Sequence, residues 1–378
     1  MKTLLMMCAA FAAIGGFAGT AAENAPSGNI AKHAFSMSCK VTALNRELRS
    51  SAARERAVKW WRENHISKLW LESYRHAERV ETPLLEEYRD YFRERGFEVS
   101  GLLTPTQLND PPAGGKAPFV VCWSDEKAKS RLRTEVERIA KVFDTVLLDD
   151  FLFSHCDDKC ERCRTAKAKS GISDWGGFRR KMMYEVCERD ILAVARGANP
   201  KAKFIIKYPC WWQNWERNGY DAERQSRLFG ACWVGTETRD AGKDPLQACW
   251  IVDHVQKRSG GLCGGGWYDG LDSTPEKFLE QAYYTILGGA KESLIHCYDY
   301  LLAEDPGVTP FGEKADRGRL CGEAFVRESA KLKALADSLA DAKFVSCQLV
   351  SPGVSEHVFE RNGKTFTLRF DHNKVVGI

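Results

Sequence analysis

The chain reads as an α/β protein, a (β/α)8 barrel with a small antiparallel β-sheet at its C-terminus, and three observations carry that expectation. Short apolar runs alternate with longer amphipathic ones from Ile66 to about Ala342, the rhythm of a parallel sheet wrapped by helices. The strand-like runs number about seven between Lys68 and His296, and HAFSMSCKVT (33–42) makes an eighth, enough to close a barrel. After Lys343 the apolar residues change to period two around the turn-like RNGK, as in a meander of antiparallel strands. An open doubly wound sheet shares the first rhythm, but no GxGxxG follows its first strand, so its usual dinucleotide use lacks support.

In chain order, a helix bearing Trp60 and Trp61 as packing residues precedes the strand SKLWLESYR (67–75). TPLLEEYRDYFRERG is helical, FEVSGLLT (97–104) is a strand, and a Pro- and Gly-rich loop follows it. The helix SDEKAKSRLRTEVERIAKV is opened by Ser124 as a cap, with Lys127 where a capping box prefers Glu. DTVLLDDF (144–151) is the next strand, and its helix begins at Ser173 or Asp174 and is closed by Gly197 and Pro200. AKFIIKYP, ACWVGTETRD, GLCGGGWYDG and KESLIHCYDY are the remaining strands. Between and after them, GYDAERQSRLFG, LQACWIVDHVQKRSG, TPEKFLEQAYYTILGGA and EAFVRESAKLKALADSLADA are helical, with His254, like His65, structural. KFVSCQLVS, EHVFERNG and KTFTLRFD form the final sheet. The expected organisation is a leader over 1–22, a barrel over 23–342 and a β segment over 343–378.

The first residues fit a secretory leader: Lys2, then LLMMCAAFAAIGGFAG, then Thr20, Ala21 and Ala22, where cleavage is expected. This predicts a secreted or periplasmic protein. No stretch approaches the roughly 20 apolar residues of a membrane span, and Cys8 lacks the preceding small residues of a lipid-attachment site. The formal charge of +4 is spread evenly without a basic stripe, which argues against nucleic acid and anionic membranes as partners. Of 14 cysteines, 13 remain beyond Cys8, an odd and high number for an exported chain, so some disulfides and at least one leftover thiol are expected.

In a barrel, residues just past the carboxyl ends of the strands share one cavity. Here these are Glu72, Tyr74 and Arg75; Asp149 and Asp150; Lys207, Tyr208, Trp211, Trp212 and Trp215; Glu237, Arg239 and Asp240; Trp267, Tyr268 and Asp269; and His296, Tyr298, Asp299 and Tyr300. A bowl of carboxylates and aromatics suits an oligosaccharide or polysaccharide, whose C–H faces stack on rings while its hydroxyls take charged partners. Glycosidic cleavage needs two carboxyl groups in opposed protonation states, and Asp149 or Asp150 with Glu237 supplies them. Neighbours on a regular strand point to opposite faces. An inward phase of Val146 and Leu148 selects Asp150, and the other phase selects Asp149. A buried Lys207 would keep one carboxylate ionised. Each acid, taken singly, is equally a helix cap or half of a salt bridge.

The HCDDKCERC run places His155, Cys156, Cys160 and Cys163 on one short loop. A loop disulfide or plain thiols is the ordinary reading in an exported protein, and zinc ligation is the alternative. No cofactor is expected. A non-catalytic sugar-binding barrel and a metal-dependent hydrolase built on the histidine and three cysteines are the competing functions.

Taken together, LLDDF, SDWGGFRRKMMYEV, IIKYPCWW, GTETRD and GGGWYD resemble a group of exported bacterial (β/α)8 proteins described as glycoside hydrolases, over roughly Lys68 to Tyr300. The plan is similar to that of the retaining α-galactosidase-like clan, with a nucleophile after strand four and an acid/base after strand six. That likeness implies Asp149 or Asp150 for the first role and Glu237 or Asp240 for the second. The clan's K-x-D motif is replaced in IIKYPC by Tyr208 and Pro209, so its sugar preference is not carried over.

Overall fold

A computed structural model describes residues 33–109, 120–238, 246–271, 273–302 and 315–375, the side chains of 315, 316 and 375 excepted. The expected leader, Arg239 and Asp240 lie outside these residues. Eight parallel strands close into a ring: β1 (Ala34–Cys39), β2 (Ile66–Arg75), β3 (Glu98–Leu103), β4 (Thr145–Leu148), β5 (Lys203–Tyr208), β6 (Cys232–Gly235), β7 (Cys263–Asp269) and β8 (Glu292–His296). β1 pairs in parallel with both β8 and β2, so the ring has no free edge and the doubly wound alternative is excluded. A two-residue strand, Glu78–Arg79, folds back on the end of β2.

The helices wrapped around this ring are α1 (Ser51–Glu63), α2 (Thr82–Glu94), α3 (Glu126–Val142), α4 (Trp175–Glu185), α5 (Ala222–Phe229), α6 (Gln247–Arg258), α7 (Pro275–Leu287) and α8 (Ala315–Ser338). α4 runs on through a π-helical stretch, Val186–Leu192, into Ala193–Ala198. The cap of α3 is Asp125, whose Oδ1 accepts the Lys127 N–H at 3.1 Å, one residue later than the expected Ser124. Ser124 instead meets Met182 and Cys163. Asp174 caps α4 and Thr274 caps α7, each accepting an N–H three residues on. A helix over Glu161–Ser170, in the β4–α4 connection, was not legible as one because its charged sequence carries no apolar stripe. α8 starts before the expected Glu323.

Two apolar layers identify the faces of the strands. Trp70, Leu102, Leu147, Trp233, Trp267 and Leu294, with Ile205, form a cluster drawn from seven strands, which only the barrel interior can assemble. Phe35, Met37, Val146, Leu148 and Ile206 belong to the separate outer layer under the helices. The interior is stacked in tiers. At the amino end Lys68 pairs with Glu292 at 3.2 Å, and Glu292 also accepts the Trp70 indole N–H at 3.0 Å. Above them Trp70 and Trp233 meet edge to face at 5.2 Å. A Cβ on Gly265 would sit 2.7 Å from the Trp233 ring and one on Gly266 2.5 Å from Thr285 of α7, which is why glycines stand at these positions of β7. The top tier is polar.

The C-terminal meander is β9 (Lys343–Ser351), β10 (Val354–Arg361) and β11 (Lys364–Asp371), all antiparallel. Asn362 and Gly363 both have positive φ, as the tight turn within RNGK requires. Phe370 and His357 pack on Tyr284 of α7, and the Tyr284 hydroxyl meets Ser355 at 3.2 Å, fixing the sheet to the barrel. No helix among the described residues is long and apolar enough to cross a membrane.

Trp233→Ala should cost about 3–5 kcal/mol of stability, the range for emptying a buried aromatic site. The denaturant midpoint measures it, and a shift below about 1 kcal/mol would contradict the tiered interior described above.

Candidate active site

The polar tier is organised by one buried ammonium group. Ile205 faces inward, so Lys207, two residues on, does too. Its Nζ lies 3.3 Å from Asp149 Oδ1, 2.8 Å from Asp150 Oδ2 and 2.8 Å from Glu237 Oε1, with the lysine only 2% exposed. The same Nζ stands 4.3 Å above the centre of the Trp267 ring. Glu237 follows the inward positions Trp233 and Gly235; a Cβ on Gly235 would collide with its Oε2, so the glycine makes room for the carboxyl.

The inward residue of β4 is Leu147, so the phase that chose Val146 and Leu148 is corrected: Asp149 continues the inward row. Asp150 nonetheless reaches the same ammonium, because regular strand ends at Leu148 and the backbone turns, with the Asp150 N–H donating to Asp149 Oδ1 at 2.9 Å. Strict alternation therefore separates the two aspartates only while the strand lasts.

A second cation closes the other side. Arg75 donates through Nε to Glu72 at 2.7 Å and through a terminal nitrogen to Asp149 Oδ2 at 2.8 Å and Thr104 at 3.1 Å. Thr104 in turn donates to Glu72 at 2.6 Å. Glu72 and Arg75 are three apart on one strand and would face opposite ways. The β2–β3 register slips between Glu72 and Tyr74, and this bulge at Ser73 restores both charged groups to the cavity. It also turns Tyr74 outward, level with Leu103, where its hydroxyl reaches the Gln107 carbonyl at 3.4 Å.

The remaining expected residues divide. His296 stacks on Trp267 at 4.7 Å and bonds Ser38 at 2.7 Å. Asp299 accepts the Lys40 backbone N–H at 3.1 Å and the Thr42 hydroxyl. Asp269 follows Trp267 in the inward phase and is 5% exposed. Tyr268 faces the other way, against Phe278 of α7 at 5.5 Å, and leaves the cavity set. Trp211 rests on Phe153 and Tyr220, Trp212 is 38% exposed beside Trp250, and Trp215 is core. Ser38, Lys40 and Thr104 were not singled out in the sequence: the first two lie within the expected strand 33–42, which in the structure ends at Cys39, and Thr104 closes the expected strand 97–104.

Burial drives the Asp150 carboxyl up to about 7, against the Lys207 charge and with help from Asp149 and Glu237. Burial pushes Asp149 the same way, but Lys207 and Arg75 outweigh it and hold that carboxyl below the usual range. Glu72 is raised by burial despite Arg75. Burial opposes the charge on Lys207, yet its three acid partners keep it well above the ordinary lysine value. The surroundings thus push the carboxyls of two adjacent aspartates in opposite directions.

Elsewhere, the 13 described cysteines are all free, so no disulfide is present among them. Cys122, Cys156, Cys160 and Cys163 have sulfurs within 4.8 Å of one another, and Cys249, Cys347 and His357 form a second such group. The fourth member of the loop group is Cys122; the His155 ring lies beside Phe153 at 4.9 Å.

Residues 22–314 match the family model described as "Probable glycosyl hydrolase, catalytic domain". The chain belongs to this family. An uncharacterized protein, SSO3021, of Saccharolobus solfataricus is 23% identical over 257 residues, 62% of this chain and 42% of that one, so the chain spans about two fifths of that relative's length. The glycoside hydrolase domain of PgaB (BpsB) from Bordetella bronchiseptica superposes with a TM-score of 0.55 at 11% identity, covering 82% of this chain and 98% of that one. It shares the barrel fold with this member of the glycosyl hydrolase family. A broad-specificity GH5-4 endoglucanase from an uncultured bacterium aligns at 11% identity and a TM-score of 0.40, over 71% of this chain and 84% of that one.

Asp150 binds its proton more tightly folded than unfolded. Its contribution to stability is therefore fully present below about pH 3.9 and is lost as pH rises through about 7. Asp149 contributes with the opposite sign, lost as pH falls through its depressed value. Urea midpoints measured from pH 4 to pH 8 should show Asp150→Asn flattening the decline of stability across that window; an unchanged slope would refute the assignment.

Proposed function

We propose that this family member is an exported glycoside hydrolase that cleaves a glycosidic bond with a pair of carboxyl groups, Asp150 and Glu237. The observation that carries the reading is that acids from β4 and β6, distant along the chain, both approach Lys207 Nζ at 2.8 Å. Their oxygens are thus no more than twice that distance apart, a spacing on the scale of one scissile bond. Asp150, its carboxyl pushed up to about 7, holds a proton near neutrality and is suited to protonate the leaving oxygen. Glu237 is the second carboxyl group, attacking the anomeric carbon or activating water. Asp149, gripped by Lys207 and Arg75, keeps its charge and sustains the proton on Asp150 by like-charge repulsion.

Substrate is an oligosaccharide or polysaccharide. Trp211 and Trp212, just after β5, offer rings for stacking, and His296, Asp269, Asp299, Glu72 and Arg75 offer polar partners around the cavity. Family membership supports the substrate class, and the leader-like N-terminus supports export. Asp240 and Arg239 remain proposed contributors from the GTETRD segment.

The test is turnover of a broad glycan panel by the purified protein. Asp150→Asn and Glu237→Gln should each lower kcat by about 10²–10⁴-fold, the usual worth of acid–base assistance, with folding checked by circular dichroism. Wild-type rates should fall as pH rises above about 7, and this limb should vanish in Asp150→Asn. Undiminished turnover in both variants would reject the mechanism, and binding without hydrolysis across the panel would favour a non-catalytic sugar-binding barrel.

A further inference from the structure

We propose that Cys122, Cys156, Cys160 and Cys163 form a closed tetrathiolate zinc site that clamps the β3–α3 connection to the β4–α4 connection. The four sulfurs converge from two separate loops, Cys122 from the first and the other three from the second. Cys122 Sγ lies 3.7 Å from Cys160 Sγ and 3.5 Å from Cys163 Sγ. Zinc–sulfur bonds of about 2.3 Å in a tetrahedron place the sulfurs about 3.8 Å apart, so this spacing is that of ligands around one ion. It is far beyond the roughly 2.05 Å of a disulfide.

The surroundings suit an anionic metal centre. Three of the four cysteines are buried and Cys160 is half-buried, which shields the sulfurs without sealing them from entry of the ion. Cys160 is the N-cap of the ten-residue helix Glu161–Ser170 and Cys163 lies in its first turn, where the helix dipole favours thiolate. The guanidinium of Arg179, itself buried, donates to the Cys156 carbonyl at 2.6 Å and 3.1 Å and brings positive charge beside a complex of net negative charge. The Cys122 N–H is fixed by Asn109 Oδ1 at 2.8 Å, and the neighbouring Trp123 indole donates to the Leu152 carbonyl at 2.7 Å, so the two loops are already in register.

Four protein ligands leave no open position, so the ion is structural rather than hydrolytic. Its place explains what such a site would do. The clamped loop begins directly after Asp149 and Asp150, and the ion fixes the segment that turns both aspartates onto Lys207.

The full chain, purified under reducing conditions, saturated with zinc and freed of excess, should retain one zinc per chain by elemental mass spectrometry. An organomercurial should release it together with the titration of four thiols. Cys156→Ala with Cys160→Ala should lose that equivalent, while Cys347→Ser, in the separate Cys249, Cys347 and His357 group, should keep it. Should the double variant fail to fold, cobalt substitution of the wild-type chain keeps the proposal open to refutation, with thiolate charge-transfer and tetrahedral ligand-field bands expected. Zinc-free protein, a mapped disulfide from Cys122 to Cys160 or Cys163, zinc content unaltered in the double variant, or absence of the cobalt bands would each overturn it.

Discussion

One buried ammonium group determines the layout of the cavity. Moving a lysine and its carboxylate partners out of water costs several kcal/mol per ion, and the cost is offset only where geometry is close and the remaining hydrogen bonds are made. At Lys207 three acids lie within hydrogen-bonding or ion-pair distance, and an aromatic ring takes a further face. At an effective dielectric constant of about 20, a unit-charge pair at 4 Å is worth roughly 4 kcal/mol before desolvation, which is comparable to the cost of burying one ion, so the burial of Lys207 depends on its having several close partners. Three acids around one ammonium group also crowd negative charge, and burial together with the charges of Asp149 and Glu237 pushes the Asp150 carboxyl up to about 7.

Arg75 makes the distribution unequal. It contacts Asp149 and Glu72 but not Asp150, and so ionisation is favoured on the first aspartate and disfavoured on its neighbour. The distinction between two chemically identical side chains arises from which strand delivers a guanidinium, not from anything in the dipeptide DD. Gly235 contributes by omission, since a side chain there would occupy the volume of the Glu237 carboxyl.

Strand order, barrel closure and the C-terminal meander were legible because hydrophobic period and turn chemistry are local properties. Asp149, Asp150, Lys207 and Glu237 were legible because carboxyl ends of barrel strands converge whatever the sequence between them. Facing was harder. Val146, Leu147 and Leu148 are all buried, one inside the ring and two beneath helices, so alternation left no polar mark on β4 from which to read its phase. Tyr268 was misplaced for the related reason that an aromatic ring fits either layer. Cys122 was separated from HCDDKCERC by a whole helix and strand, and only tertiary structure reveals that it, not His155, joins those cysteines.

The irregularity at Ser73 acts as a phase shifter within β2. Below it the strand serves packing, with Trp70 in the ring and Leu71 under the helices; above it the inward place that simple alternation gives to Tyr74 passes one position on, to Arg75. Cavity charge is thereby uncoupled from the hydrophobic pattern that builds the wall. Regular pairing through this point, with no residue gained or lost, would trade a guanidinium for a phenol at the cavity rim, a change of electrostatics that an alignment would not register.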